Sequence, residues 1–124
     1  MSNKLSTTTR QYDQLPVTVY PTNAALGQAA ALDAREIIQT AIAARGAANI
    51  IIATGNSQLT FLHALRDLDG IDWRKVTVFH MDEYVGIDPN HPASFPLFLH
   101  QHIIDTVKPG KFYPVPGQPA DVEQ

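Results

Sequence analysis

The 124-residue chain contains no cysteine. This excludes a disulfide framework, a thiolate nucleophile and a thiolate metal site. An excess of positive charge is also missing. Nine basic residues face twelve acidic ones, for a formal charge of −3 with the histidines neutral. That balance argues against a broad electrostatic footprint for nucleic acid or an anionic membrane. The longest apolar stretch, around Ala47 to Ala53, is far too short to span a bilayer. The N-terminal Met1-Ser2-Asn3-Lys4-Leu5-Ser6 is polar and lacks the apolar segment of a secretory signal, so the cytoplasm is the expected compartment. With 44% hydrophobic and 17% charged residues, the chain reads as about one soluble domain. Folding at that length removes roughly two-thirds of the unfolded surface from water.

Proline is scarce early and frequent late. Ala24 to Ala48 is alanine-rich and proline-free, whereas seven of the nine prolines lie from Pro89 onward. The first region is therefore expected to be helical and the last loop-rich. Residues 1–16 read as a polar tail ahead of a domain at 17–124. Val17-Thr18-Val19-Tyr20 reads as a short strand, with Thr22 or Asn23 capping the helix after it. Leu26, Ala30, Ala34, Ile37, Ala41 and Ala44 form its stripe and Gly46 its stop. Asn49 to Thr54 is a near-continuous apolar run, the pattern of a strand buried on both faces. A turn at Gly55-Asn56-Ser57 leads to a stripe of Leu59, Leu62, Leu65 and Leu68. Val76 to Asp82 is the next strand. Ser94 opens a helix to about Asp105, and Phe112 to Val115 is a last short strand. The alternation predicts an α/β fold: a parallel Rossmann-like sheet with helices on both faces.

Two places in this layout carry chemistry. Ala53-Thr54-Gly55-Asn56-Ser57-Gln58 joins a buried strand to a helix. Free N–H groups at a helix start bind anions, a glycine allows close approach, and the Thr54 and Ser57 hydroxyls can donate to phosphate oxygens. A plain turn with Ser57 as an N-cap is the competing reading. At the end of the following strand stands His80-Met81-Asp82-Glu83-Tyr84-Val85-Gly86. Val76, Val78, His80 and Asp82 share one strand face, and titratable groups at a carboxyl edge mark where ligands bind in open parallel sheets. Thr54 and Asp82 are thus expected to end two strands at one edge. Solvated or capping loop acids are the alternative for Asp82 and Glu83.

These segments, followed by His91-Pro92-Ala93-Ser94-Phe95, resemble the glucosamine-6-phosphate deaminase/isomerase family from about Val17 to the end. The related 6-phosphogluconolactonases share the fold but carry a GDER-type sequence where this chain has Met81-Asp82-Glu83-Tyr84. The resemblance implies a fold like that of ribose-5-phosphate isomerase A and CoA-transferases. It also implies aldose–ketose isomerisation of an amino-sugar phosphate with release of ammonia, and no cofactor. Thr54, Gly55, Asn56 and Ser57 then match the phosphate loop, and Asp82 matches the base that moves a proton between C2 and C1. Glu83 joins Asp82 in the catalytic set, while Glu83, His80 and Tyr84 are expected to shape or orient the site. A positioned carboxylate suits such a transfer, because a proton α to a carbonyl or iminium is weakly acidic.

Gly55-Asn56-Ser57-Gln58 stands where classical members read Gly-Gly-Thr-Pro or Gly-Ser-Thr-Pro, and His80 stands where Asn is common. These departures leave open the exact amino sugar, and deamination against plain isomerisation. The family domain is about twice as long, in the common range of 200–250 residues. Its ring-opening Asp–His–Glu group has no counterpart here. The chain accordingly reads as a truncated N-terminal half, inactive alone, with a non-catalytic sugar-phosphate sensor or remnant as the alternative. The expected partner is a small-molecule sugar phosphate, with no nucleic acid and no membrane, and a homo-oligomer is left open for the full-length form. His80, His91, His100 and His102 show no metal-ligand spacing, so no metal is expected. His63 reads as a surface or partly packed residue, and Trp73 with Arg74-Lys75 as packing beside a solvated charge pair.

Overall fold

Thr22 starts the longest helix by accepting the Ala25 N–H on its side-chain hydroxyl at 3.0 Å, and Gly46 ends it in a left-handed cap. This helix, α1, spans Asn23–Arg45 in a computed structural model that describes residues 6–118. Its buried positions are Gly27, Ala31 and Ile38, with Ala34, Ala41 and Ile42 partly buried. The stripe is therefore rotated by about one residue from the Leu26–Ile37 reading, and Leu26 and Ile37 face outward. The reason is the neighbouring helix, α2 (Leu59–Asp67). A Cβ on Gly27 would lie 2.7 Å from Thr60, so the helices approach at the residue with no side chain. Thr60 also donates its hydroxyl to the Asn23 side-chain oxygen at 3.1 Å across this contact.

Three parallel strands carry the core: β3 (Ala48–Ile52), β4 (Val76–His80) and β5 (Lys111–Tyr113), in the order β3-β4-β5. Here β1 (Thr8–Tyr12) and β2 (Leu15–Val19) precede them as a separate antiparallel hairpin. The expected polar tail thus holds a strand. The threonines of Thr8-Thr9 favour extended backbone, and Asp13 in the left-handed region closes a two-residue turn onto Leu15. Residues 1–5 of that tail, and the terminal run from Pro119 to Gln124, lie outside the described residues.

Ala48, Ile52, Val76 and Val78 pack with Leu62, Leu65, Leu99, Ile103 and Ile104 in one core, with Ile50 and Phe112 against it. All six sheet positions lie on one face of the pleat. On the other face Ile51 is 70% exposed, with Met81, Phe79 and Tyr113 also exposed and the last two rings stacked at 5.3 Å. The apolar run of β3 is therefore buried on one side only among the described residues. The fold is α/β with a parallel sheet. After β4, the segment α3 (Phe95–Leu99) runs into a π-helical stretch, His100–Ile104, and α4 (Asp105–Val107). No helix among the described residues is long and apolar enough to cross a membrane.

Candidate active site

The register of β3 on β4 sets Ile52 beside His80. Two residues further, Thr54 and Asp82 leave neighbouring strands at the same carboxyl edge, as the strand pattern predicts. Gly55 makes the turn there with φ of 106°, a conformation that favours glycine, and a Cβ on it would meet no atom within 4 Å. The loop is therefore open above Gly55. Asn56 and Ser57 are exposed within a 3-10 turn, Asn56–Gln58, closed by the Gln58 N–H on the Gly55 carbonyl at 3.0 Å. Ser57 lies inside this turn and makes no cap bond, which removes the plain N-cap reading. Among the described residues its hydroxyl meets only the Gln58 amide, at the limiting distance of 3.5 Å, and its own proton stays available to an acceptor.

Asp82 and Glu83 are adjacent but differently employed. Asp82 lies just past the end of β4, exposed, and its carboxylate has no hydrogen-bond partner among the described residues. Glu83 is half-buried and accepts three bonds. These come from the Ser94 hydroxyl at 2.7 Å, the Tyr84 N–H at 3.0 Å and the Phe95 N–H at 3.3 Å. Burial works to raise the Glu83 pKa, but these hydrogen bonds, with His80 nearby, outweigh it and hold the carboxyl below its ordinary value. The loop alternative is thus met in both its forms: Glu83 is a capping acid and Asp82 a solvated one, with no hydrogen-bond partner among the described residues.

His80 is 6% exposed and lies on the core face of β4 with Val76 and Val78. Its Nε2 accepts the Val115 N–H at 2.8 Å, so a neutral ring carries its proton on Nδ1. That Nδ1 is buried with no hydrogen-bond partner among the described residues. Burial pushes the His80 pKa down, against the opposing pull of Glu83 and Asp82. Tyr84 is exposed, its ring 5.0 Å from that of Phe95. Further ties run from the Gly86 N–H to Gly117 and from the Gln118 side chain to the Ile87 carbonyl. A cleft of about 430 Å³ opens beside Glu83, lined by Ser94, His100 and Pro114 among others, but not by Asp82 or the Thr54–Ser57 turn.

Ser94 and Val115 are the parts of this arrangement that the residue pattern did not single out as site groups. Ser94 is legible as a helix cap and as part of the His91–Phe95 segment that carries the family resemblance, but not as the partner of Glu83. Val115 acts through its main-chain amide, which no side-chain pattern signals. Elsewhere, His63 Nε2 and His102 Nδ1 pair at 2.9 Å, and His100 meets Asp105 at 2.8 Å. Trp73 is buried, and Arg74 pairs with Asp72 at 3.0 Å.

Residues 21–124 match the family described as glucosamine-6-phosphate isomerases/6-phosphogluconolactonase. A glucosamine-6-phosphate deaminase of Exiguobacterium sibiricum is 40% identical over 70 residues, covering 56% of this chain and 27% of the relative. One from Arthrobacter sp. is 29% identical over 113 residues, covering 87% and 42%. A crystal structure of a 6-phosphogluconolactonase from Shewanella baltica has a TM-score of 0.69 at 26% identity, covering 76% of this chain and 40% of that one. A monomeric glucosamine-6-phosphate deaminase has a TM-score of 0.64 at 19% identity, covering 74% and 39%, a likeness in fold alone. The chain spans less than half the length of each of these relatives.

Proposed function

The chain belongs to the glucosamine-6-phosphate isomerase/6-phosphogluconolactonase family, and on that premise we propose that it carries part of an amino-sugar-phosphate deaminase site. The substrate is glucosamine-6-phosphate or a similar hexosamine phosphate. The reaction is aldose–ketose isomerisation to the C2 imine, which water hydrolyses to the ketose phosphate with release of ammonia, in the cytoplasm. The observation that carries this reading is the pairing, at one sheet edge, of an open Thr54–Ser57 turn with an exposed Asp82 carboxylate that has no partner among the described residues.

In this reading the phosphate sits on the turn, held by backbone N–H groups at the start of the helical run and by the Thr54 and Ser57 hydroxyls. Anchoring the far end of the sugar orients C2 and C1 toward Asp82. The Asp82 carboxylate takes the proton from C2 and returns it at C1. A carboxylate with no internal partner is suited to that, since no hydrogen bond has to break before the proton arrives. The deaminase reading is favoured over the lactonase one by Met81-Asp82-Glu83-Tyr84 and by deaminase relatives at up to 40% identity.

The 124 residues alone are proposed to bind the sugar phosphate without turning it over. They span 27% to 42% of the deaminases named above, and the ring-opening group implied by the family resemblance has no counterpart among them. The test is calorimetric binding of glucosamine-6-phosphate beside an ammonia-release assay. Binding that inorganic phosphate competes away, with no ammonia released, is expected. Ammonia release would reject the inactivity, and absence of binding would reject the site. Hydrolysis of 6-phosphogluconolactone by the chain would move the assignment to the lactonase side.

A further inference from the structure

Ser94 is completely buried and precedes α3, yet its hydroxyl does not cap that helix. It donates instead to Glu83, eleven residues upstream, at 2.7 Å. The same carboxylate accepts the Phe95 N–H, one of the first amides of α3 that has no partner within the helix. An acid of the loop therefore caps the helix, and the cap residue of the helix holds the acid. The helical run that follows is rooted in the core through Leu99, Ile103 and Ile104. Short hydrogen bonds to an ionised oxygen are the stronger kind, so this is a firm anchor.

Asp82 sits between two such anchors. On one side, His80 is fixed by the Val115 N–H at 2.8 Å, and on the other, Glu83 is fixed to Ser94 and Phe95. Between the two anchors, the Asp82 carboxylate is exposed and has no hydrogen-bond partner among the described residues. We propose that Glu83 and Ser94 are a positioning pair, which fixes the main chain at Asp82 so that its carboxylate stands at the sheet edge. Glu83 then acts through the placement of Asp82, as a positioning residue. This inference rests on the reading of Asp82 as the base.

The hydrogen-bond chemistry supplies the discriminating variant. In Glu83→Gln the amide oxygen can still accept both N–H groups, and the NH₂ can donate to Ser94 Oγ, which accepts as readily as it donates. Geometry is retained while acid–base capacity is lost. Glu83→Ala and Ser94→Ala remove the anchor, and Ser94→Ala, with the smaller change in volume, serves if Glu83→Ala fails to fold. The readouts are amide hydrogen exchange at Tyr84 and Phe95 in the free chain, and the shift of the Asp82 amide on titration with glucosamine-6-phosphate.

Glu83→Gln is expected to match the native chain in both. Ser94→Ala and Glu83→Ala are expected to speed exchange at Phe95 about tenfold and to weaken the Asp82 response. Glu83→Gln behaving like Glu83→Ala would overturn the proposal, as would native behaviour of both alanine variants. If the native chain shows no ligand response while the exchange pattern holds, the substrate reading fails and the anchor on the Asp82 loop stands.

Discussion

His80 accepts a 2.8 Å hydrogen bond from the backbone N–H of Val115, which ties the end of β4 to the segment after β5. The bond exists only while Nε2 is unprotonated. Burial lowers the His80 pKa in the folded chain, and the charges of Glu83 and Asp82 oppose this without cancelling it.

A group with a depressed folded pKa contributes stability that is present above its unfolded pKa and lost as pH falls through the folded value. For a histidine the loss begins near the ordinary pKa of about 6.5. Urea midpoints measured from pH 8 to pH 5 are therefore expected to fall on acidification. His80→Gln, whose amide oxygen can still accept the Val115 N–H, is expected to flatten that fall. An equally steep fall in the variant would place its source elsewhere.

His63 and His102 share one hydrogen bond at 2.9 Å, in which one nitrogen must be bare. Burial lowers the His102 pKa first, and His63 and Arg66 add to it. Imidazole NMR titration should show His102 protonating below the ordinary histidine value, with Arg66→Gln moving it upward. A His102 that titrates unchanged in Arg66→Gln would count against that electrostatic coupling.

The two faces of β3 make unequal demands. Ile52 is 5% exposed and Ile51 is 70% exposed. Ile52→Ala is expected to cost about 2–5 kcal/mol, by lost burial and a cavity. Ile51→Ala should stay within about 0.5 kcal/mol. Chemical denaturation of the two variants checks this, and equal costs would mean that the second face is also covered in solution.

Gly27 meets Thr60 where α1 crosses α2, with 2.7 Å available to a Cβ. Gly27→Ala gains helix propensity but must push the helices apart, for a net loss of about 1–3 kcal/mol. A thermal melt decides the sign. A stabilised variant would show that the contact yields easily.

Much of this arrangement was legible in the residues. The order of elements from α1 to β5, a helix start at Thr22 or Asn23, the Gly46 stop and the common edge for Thr54 and Asp82 follow from periodicity and from turn chemistry. The hairpin of β1 and β2 was not legible, because its first strand is polar and exposed throughout and leaves no apolar alternation to read. The α1 face is turned by about one residue from the stripe, although Ala34 and Ala41 stay against the core, because a glycine at the contact looks like a gap yet is what lets Thr60 approach. The apolar run of β3 suggested two covered faces, since sequence reports what a residue prefers and not what is packed on it. The different employment of Asp82 and Glu83 also lay outside the pattern. It depends on a serine eleven residues away, brought close only by the fold.

The central claim is that the Thr54–Ser57 turn and Asp82 form one sugar-phosphate site at the carboxyl edge of the sheet. Titration of glucosamine-6-phosphate into the isotope-labelled chain, followed amide by amide, tests it most directly. Saturable shifts that converge on Thr54, Gly55, Ser57 and Asp82 are expected, with inorganic phosphate reproducing only those of the turn. Shifts confined to residues away from this edge, or a turn that responds while Asp82 does not, would contradict it.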